Sequence, residues 1–112
     1  MIDFETKMRN AITQIEKKGT EYAQAKAVSW QLQEMRKVVL AECIKSQNPE
    51  RSFADRETFA RTMPEYRQHL EGTKVAIENE NRLRAEYEAR QATYECLRSL
   101  CSLENTKARL GE

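Results

Sequence analysis

The sequence is poor in the residues that bend or break regular structure, with 3 Gly and 2 Pro among 112 residues. That scarcity excludes collagen-like and mucin-like chains. No apolar stretch approaches the roughly 20 residues that a membrane-spanning helix needs. We therefore expect no membrane segment and no low-complexity fold.

Metal-ligating side chains are also scarce. Cys43, Cys96 and Cys101 form no CxxC pair, and the single histidine, His69, is remote from all three in the sequence. An odd number of cysteines of this kind is typical of free thiols in a reduced compartment. We expect no metal, no cofactor and, because no secretory signal pattern opens the chain, a cytosolic protein.

Charge is abundant but balanced. Asp, Glu, Lys and Arg make up 33% of the chain, and 19 basic residues against 18 acidic ones leave a net charge of +1. No overall electrostatic field therefore favours nucleic acid or a membrane surface. Ala, Glu, Lys, Leu and Arg together supply about half of the residues, which is the composition of long helices or a coiled coil.

Apolar residues recur every three or four positions over two long stretches, which predicts helices at residues 3–46 and 64–107. Asp3 is the expected N-cap of the first helix. Pro49 breaks the pattern, and Ser52 with Asp55 three residues later predicts a short helix at 53–61. Thr62 is the cap residue that precedes the third helix, and Pro64 favours a break there over a kink. Gly19 is a weak point that leaves open a bend or split in the first helix.

These elements predict an all-α chain with one domain over residues 1–112. Its two long helices form a coiled-coil-like antiparallel hairpin that is joined by the short helical connector. Because two such helices bury little apolar surface, we expect a dimer or higher oligomer. A second apolar stripe on the third helix is the predicted oligomer interface: Ala85, Ala89, Ala92, Cys96, Leu100 and Leu103.

No catalytic or nucleotide-binding signature occurs, so we expect a protein that is not an enzyme. If the helices fold back at the connector, a group of basic residues shares one end of the hairpin: Lys37, Lys45, Arg51, Arg56 and Arg61. Such a group can neutralise phosphates without reading bases. A solvated charged face is the alternative. We expect Trp30 to pack at a helix–helix boundary rather than to stack on a base.

The segment at 94–100, with the upstream residues Tyr66, Leu70, Ala76, Glu80, Leu83 and Arg84, resembles small helical accessory proteins of tailed phages. A basic first helix with a tryptophan, a polar connector and a long last helix resemble the UvsY-type recombination mediators. This resemblance implies an oligomeric phage or prophage protein in the host cytosol that binds DNA-processing proteins and single-stranded DNA. Two alternatives stay open: a protein-only inhibitor of a host nuclease or defence system (anti-CRISPR-like), and a structural coiled-coil spacer.

Overall fold

The protein is helical throughout, as the pattern predicts. The structure, a computed structural model, describes residues 3–111 and is 90% helical. Its three helices are α1 (Phe4–Lys45), α2 (Phe53–Arg61) and α3 (Pro64–Leu110). The two long helices pack against each other, and the described residues contain no strand. None of these helices combines the length and apolar character needed to cross a bilayer.

Side-chain caps begin the first two helices where the sequence indicates. The Asp3 carboxylate accepts a hydrogen bond from the Thr6 amide at 3.1 Å. The Ser52 hydroxyl accepts one from the Asp55 amide at 3.2 Å, which confirms the cap of α2. Thr62 acts differently from its prediction, because its hydroxyl donates to the Phe59 carbonyl at 2.7 Å. It therefore closes α2 rather than opening α3.

The third helix is longer than predicted and ends at Leu110 rather than at residue 107. No glycine or proline interrupts these residues, and Lys107 and Arg109 place positive charge in the last turn, where the helix dipole favours it. The helix stops at Gly111, whose amide donates to the Lys107 carbonyl at 3.0 Å. The absence of a helix breaker before Gly111 and the favourable dipole interaction thus account for the extension.

Gly19 does not split α1, which runs without interruption through this position. A Cβ atom added at Gly19 would lie 3.2 Å from Cε1 of Tyr87 on α3. The Tyr87 ring in turn lies beside Tyr22, with ring centroids 6.0 Å apart. The glycine therefore makes room for an aromatic side chain from the opposite helix.

Replacing each helical glycine by alanine should separate helix propensity from packing. Nothing lies within 4 Å of a Cβ built at Gly72, so Gly72→Ala should gain only helix propensity, about 0.5–1 kcal/mol of unfolding free energy. Gly19→Ala gains the same propensity but must displace Tyr87, so its net effect should be smaller or destabilising. Urea unfolding measures both changes. Equal stabilisation by the two variants would contradict the close packing at Gly19.

Contacts divide the chain into two compact units, each built from one segment of α1 and one of α3. The first unit combines α1 up to Ala23 with α3 from Arg82 onward. The second unit is Gln24–Asn81 and includes α2. Within each unit the α1 and α3 segments run antiparallel. In the first unit Lys18 lies beside Glu86 and Tyr22, further along α1, lies beside Arg84. In the second unit Leu32 lies beside His69, and Ser46, just after α1, lies beside Met63, just before α3.

The first unit buries Ala11 and Leu83 and also contains a polar network between its two helices. Lys18 on α1 lies 3.0 Å from Glu86 on α3 and 3.2 Å from Glu21 on its own helix. The hydrogen bond with Glu86 raises the pKa of Lys18, and the same bond lowers the pKa of Glu86. Each partner thus favours the charged form of the other, which fixes this crossing of α1 and α3.

In the second unit, the core lies beside the connector. Cys43, Ala60 and Tyr66 are buried together, and Met63 is among the half-buried side chains that pack against them. Cys43 is a free, buried thiol, and desolvation raises its pKa, whereas Cys96 is exposed and Cys101 is half-buried. Ala60, with no exposed surface, anchors α2 in this cluster.

Trp30 is not part of the core of this chain, since 65% of its surface is exposed, so it does not lie buried at a boundary between the described helices. Its neighbour Ser29 is fully buried. Because successive helical residues are rotated by about 100° around the axis, the side chain after a buried residue points sideways from the buried face of the helix. Trp30 is therefore turned away from the face that α1 buries.

Candidate nucleic-acid interface at the connector

The polar connector folds as a tight turn followed by α2. The Asn48 side chain accepts a hydrogen bond from the Glu50 amide at 3.0 Å, and the Asn48 carbonyl accepts one from the Arg51 amide at 3.1 Å. These bonds satisfy the backbone around Pro49. They place Arg51 directly before the cap of α2.

Two arginines of this segment lie against phenylalanine rings. The guanidinium carbon of Arg51 lies 4.2 Å from the ring centroid of Phe59, and that of Arg56 lies 5.9 Å from the ring centroid of Phe53. Both distances fall in the range of cation–π interactions. Phe53 is 60% exposed and Phe59 is 47% exposed. We call these four residues the connector surface.

Arg56 is half-buried, whereas Arg51 is exposed. The Nε atom of Arg56 is buried, with no hydrogen-bond partner among the described residues. Arg61, at the end of α2, instead forms an ion pair with Glu57 at 2.8 Å, and the hydrogen bond to Glu57 raises the pKa of Arg61.

The structure separates the five predicted phosphate contacts into groups. Arg51 and Arg56 share the connector surface, while Arg61 lies at the end of α2 and exposed Lys45 at the end of α1. Lys37 lies two turns before Lys45, about 12 Å along the helix axis. It lines a groove of about 570 Å³ within the second unit, together with Gln33, Glu34, Arg36, Leu70, Thr73, Lys74, Ile77 and Glu78.

Phe53 and Phe59 are the candidate site residues that sequence reasoning missed. The three-residue spacing of Phe53 and Arg56 on a helix is a signal that the sequence does contain. The pairing of Arg51 with Phe59 has no such signal, because it depends on how the turn leads into α2. The exposure of both rings is likewise visible only in the folded chain.

Acidic residues limit the positive charge around the connector. Residues 45–67 carry Lys45, Arg51, Arg56, Arg61 and Arg67 against Glu50, Asp55, Glu57 and Glu65. A ligand bound here would therefore meet two or three available cations rather than a strongly positive field. Binding by ring stacking is less affected by this balance.

Within residues 3–111, no three His, Cys, Asp or Glu side chains are grouped so as to hold a metal ion. The His69 Nε2 atom lies 2.8 Å from the Leu32 carbonyl oxygen. Since a carbonyl oxygen only accepts, this nitrogen donates and joins α3 to α1.

The predicted oligomer stripe on α3 is accessible along its whole length. All six of its residues are exposed, and Leu100 and Leu103 keep 46% and 50% of their surfaces exposed. The stripe lies entirely in the first unit, whereas the connector surface lies in the second. The two candidate surfaces can therefore be altered independently.

Comparison of the chain with protein families, with curated proteins and with solved structures finds no match.

Proposed function

We propose that this protein is a non-catalytic binding protein whose connector surface holds single-stranded DNA. The observation that carries the proposal is the pair of exposed phenylalanines on α2, each beside an arginine. Proteins that bind single strands combine aromatic rings, on which bases stack, with cations that contact the backbone. The connector surface supplies both within one short helix and the turn before it.

Each part of the connector surface has a separate role in this proposal. An unpaired base covers the exposed face of Phe53 or Phe59 and removes apolar surface from water. Arg51 and Arg56 contact phosphates while they remain against the rings. Because the surrounding charge is nearly balanced, stacking contributes more of the affinity than charge does, and binding tolerates different base sequences.

The wider role that we propose is that of an accessory factor in DNA processing. The resemblance to UvsY-type recombination mediators supports this role. It implies that the protein acts in the cytosol of a phage's host cell, with DNA-processing proteins as further partners. The described helices also provide exposed faces away from the connector on which such proteins can dock. The proposal includes no chemical step.

The experiment compares two sets of exposed aromatic residues. Fluorescence anisotropy with a labelled oligothymidine of about 20 nucleotides, longer than one binding site, measures the affinity. Because each stacked base contributes about 1–3 kcal/mol, the Phe53→Ala/Phe59→Ala variant should bind at least about 20-fold more weakly. Trp30→Ala, which removes a more exposed aromatic ring on α1, should leave the affinity unchanged.

Both variants alter exposed side chains, so circular dichroism should show unchanged helix content. If the double phenylalanine variant binds as tightly as the wild type, stacking at the connector surface is excluded. If Trp30→Ala weakens binding to the same extent, the DNA lies elsewhere on the chain.

A second candidate function is protein binding through α1, as expected of a protein-only inhibitor. Exposed apolar residues favour it: Trp30 at 65%, Val28 at 53%, Val38 at 52% and Met35 at 43%. Tryptophan is enriched among the residues that dominate protein–protein binding energy. This candidate predicts that the wild type binds no oligonucleotide, and that Trp30→Ala abolishes binding to the partner. A coiled-coil spacer would use neither surface.

A further inference from the structure

The exposed stripe on α3 has a gradient in side-chain size. Its first half consists of Ala85, Ala89 and Ala92, and its second half of the larger Cys96, Leu100 and Leu103. The side of α3 that packs toward α1 is different, with Leu83 buried and Leu97 and Cys101 half-buried. The stripe is therefore a separate face, small at one end and large at the other.

We propose that a second copy of this chain covers the stripe, with the two α3 helices antiparallel. If a twofold axis crosses the interface near residue 94, each residue faces a residue of the other copy, and the two residue numbers sum to about 188. Leu103 of one copy then lies opposite Ala85 of the other, Leu100 lies near Ala89, and Cys96 lies opposite Ala92. Every large residue meets a small one, and the same contacts occur twice, as a twofold interface requires.

The parallel arrangement lacks this fit. It would place each leucine against the same leucine of the other copy, and each alanine against the same alanine. Because the distance between packed helices depends on the side chains at the contact, the alanine half would be held apart by the leucine half. The size gradient thus favours one orientation.

The area of the stripe also agrees with this pairing. Residues 85–103 extend over about 27 Å. Two such faces would bury on the order of 1,000 Å² in total, near the lower limit for specific interfaces. For an interface of this small size we expect a weak dimer, with a dissociation constant in the micromolar range.

Sedimentation velocity over about 1–200 µM, the range that populates both states of such a dimer, provides the first test. The wild type should dimerise. Leu103→Glu places a carboxylate in the interface of both copies and should weaken dimerisation at least about 100-fold. Val75→Glu is the matched control, since Val75 is 54% exposed, as Leu103 is 50% exposed, but lies in the second unit. It should leave the dimer intact.

A wild type that stays monomeric over this range would overturn the proposal. So would a dimer that survives Leu103→Glu, or one that both substitutions abolish. Both positions are exposed, so helix content by circular dichroism should stay unchanged and exclude misfolding. Neither substitution lies on the connector surface, so failure here leaves the DNA-binding proposal untouched.

Disulfide cross-linking provides the second test, because it reports the orientation. One variant carries Ala92→Cys with Cys96→Ala, and the other keeps Cys96; both carry Cys101→Ser and tags of different mass. The antiparallel register predicts that a mixture of the two variants forms several-fold more disulfide-linked dimer than either variant does alone. A parallel pair would instead cross-link each variant with itself, and that result would overturn the proposed orientation.

Discussion

Replacing Tyr66 by alanine should lower the free energy of unfolding by about 3 kcal/mol, the usual cost of removing a buried aromatic side chain. Tyr66 is only 4% exposed and packs with Cys43 and Ala60 in the core beside the connector. Its removal leaves a cavity where the end of α1, the start of α3 and α2 meet. Urea unfolding followed by circular dichroism measures the change. Tyr66→Phe, which keeps the ring, should cost less than about 1 kcal/mol.

The Tyr66→Ala variant should also weaken oligonucleotide binding, because Ala60 anchors α2 in the same cluster. The Phe53→Ala/Phe59→Ala variant should show the opposite combination, with lost binding and nearly unchanged stability. A Tyr66→Ala protein that unfolds at the same urea concentration as the wild type would show that this cluster does not support the fold.

The Ser29→Leu variant should be destabilised by about 1–3 kcal/mol, the usual cost of extra volume in a packed interior. Ser29 has no exposed surface, and its hydroxyl accepts a hydrogen bond from the Gln33 amide group at 2.9 Å. A larger side chain here must push apart the helices of the second unit. Thermal unfolding of the purified variant measures this loss.

Ser29→Ala is the matched control for size. It removes the hydrogen bond from Gln33 but replaces serine by the residue of highest helix propensity. The two effects oppose each other, so the change should stay within about 1 kcal/mol of zero. A Ser29→Leu protein as stable as this control would show that the site has free space and that its burial does not restrict size.

The helices could be predicted because their signals are local. The three- and four-residue spacing of apolar side chains, together with the caps at Asp3 and Ser52, placed α1 and α2 to within one residue. The role of Gly19 could not be predicted, because its partner Tyr87 lies 68 positions later in the sequence. Periodicity shows which face of a helix is apolar but not which side chain of another helix it meets.

The candidate site illustrates the same limit. The basic residues of the connector and the three-residue spacing of Phe53 and Arg56 are visible in the sequence, yet the pairing of Arg51 with Phe59 is not. Phe53 lies seven residues before Ala60 and so shares its face of α2, a spacing that predicts burial. The folded chain buries Ala60 and leaves Phe53 60% exposed. Only tertiary packing decides how far along a helix its covered face extends.

A salt titration of oligothymidine binding tests the central claim most directly. Arg51 and Arg56, with one further cation, would contact about three phosphates. Each such contact on a single strand contributes about −0.7 to the slope of the logarithm of the binding constant against the logarithm of the salt concentration, so a slope of about −2 is expected. Replacing both arginines by glutamine should reduce the magnitude of the slope by about 1.4. Binding with this slope, sensitive to Phe53 and Phe59, is the result that we expect. No binding of the wild-type chain at about 50 mM salt, where such contacts are strong, would contradict the proposed function.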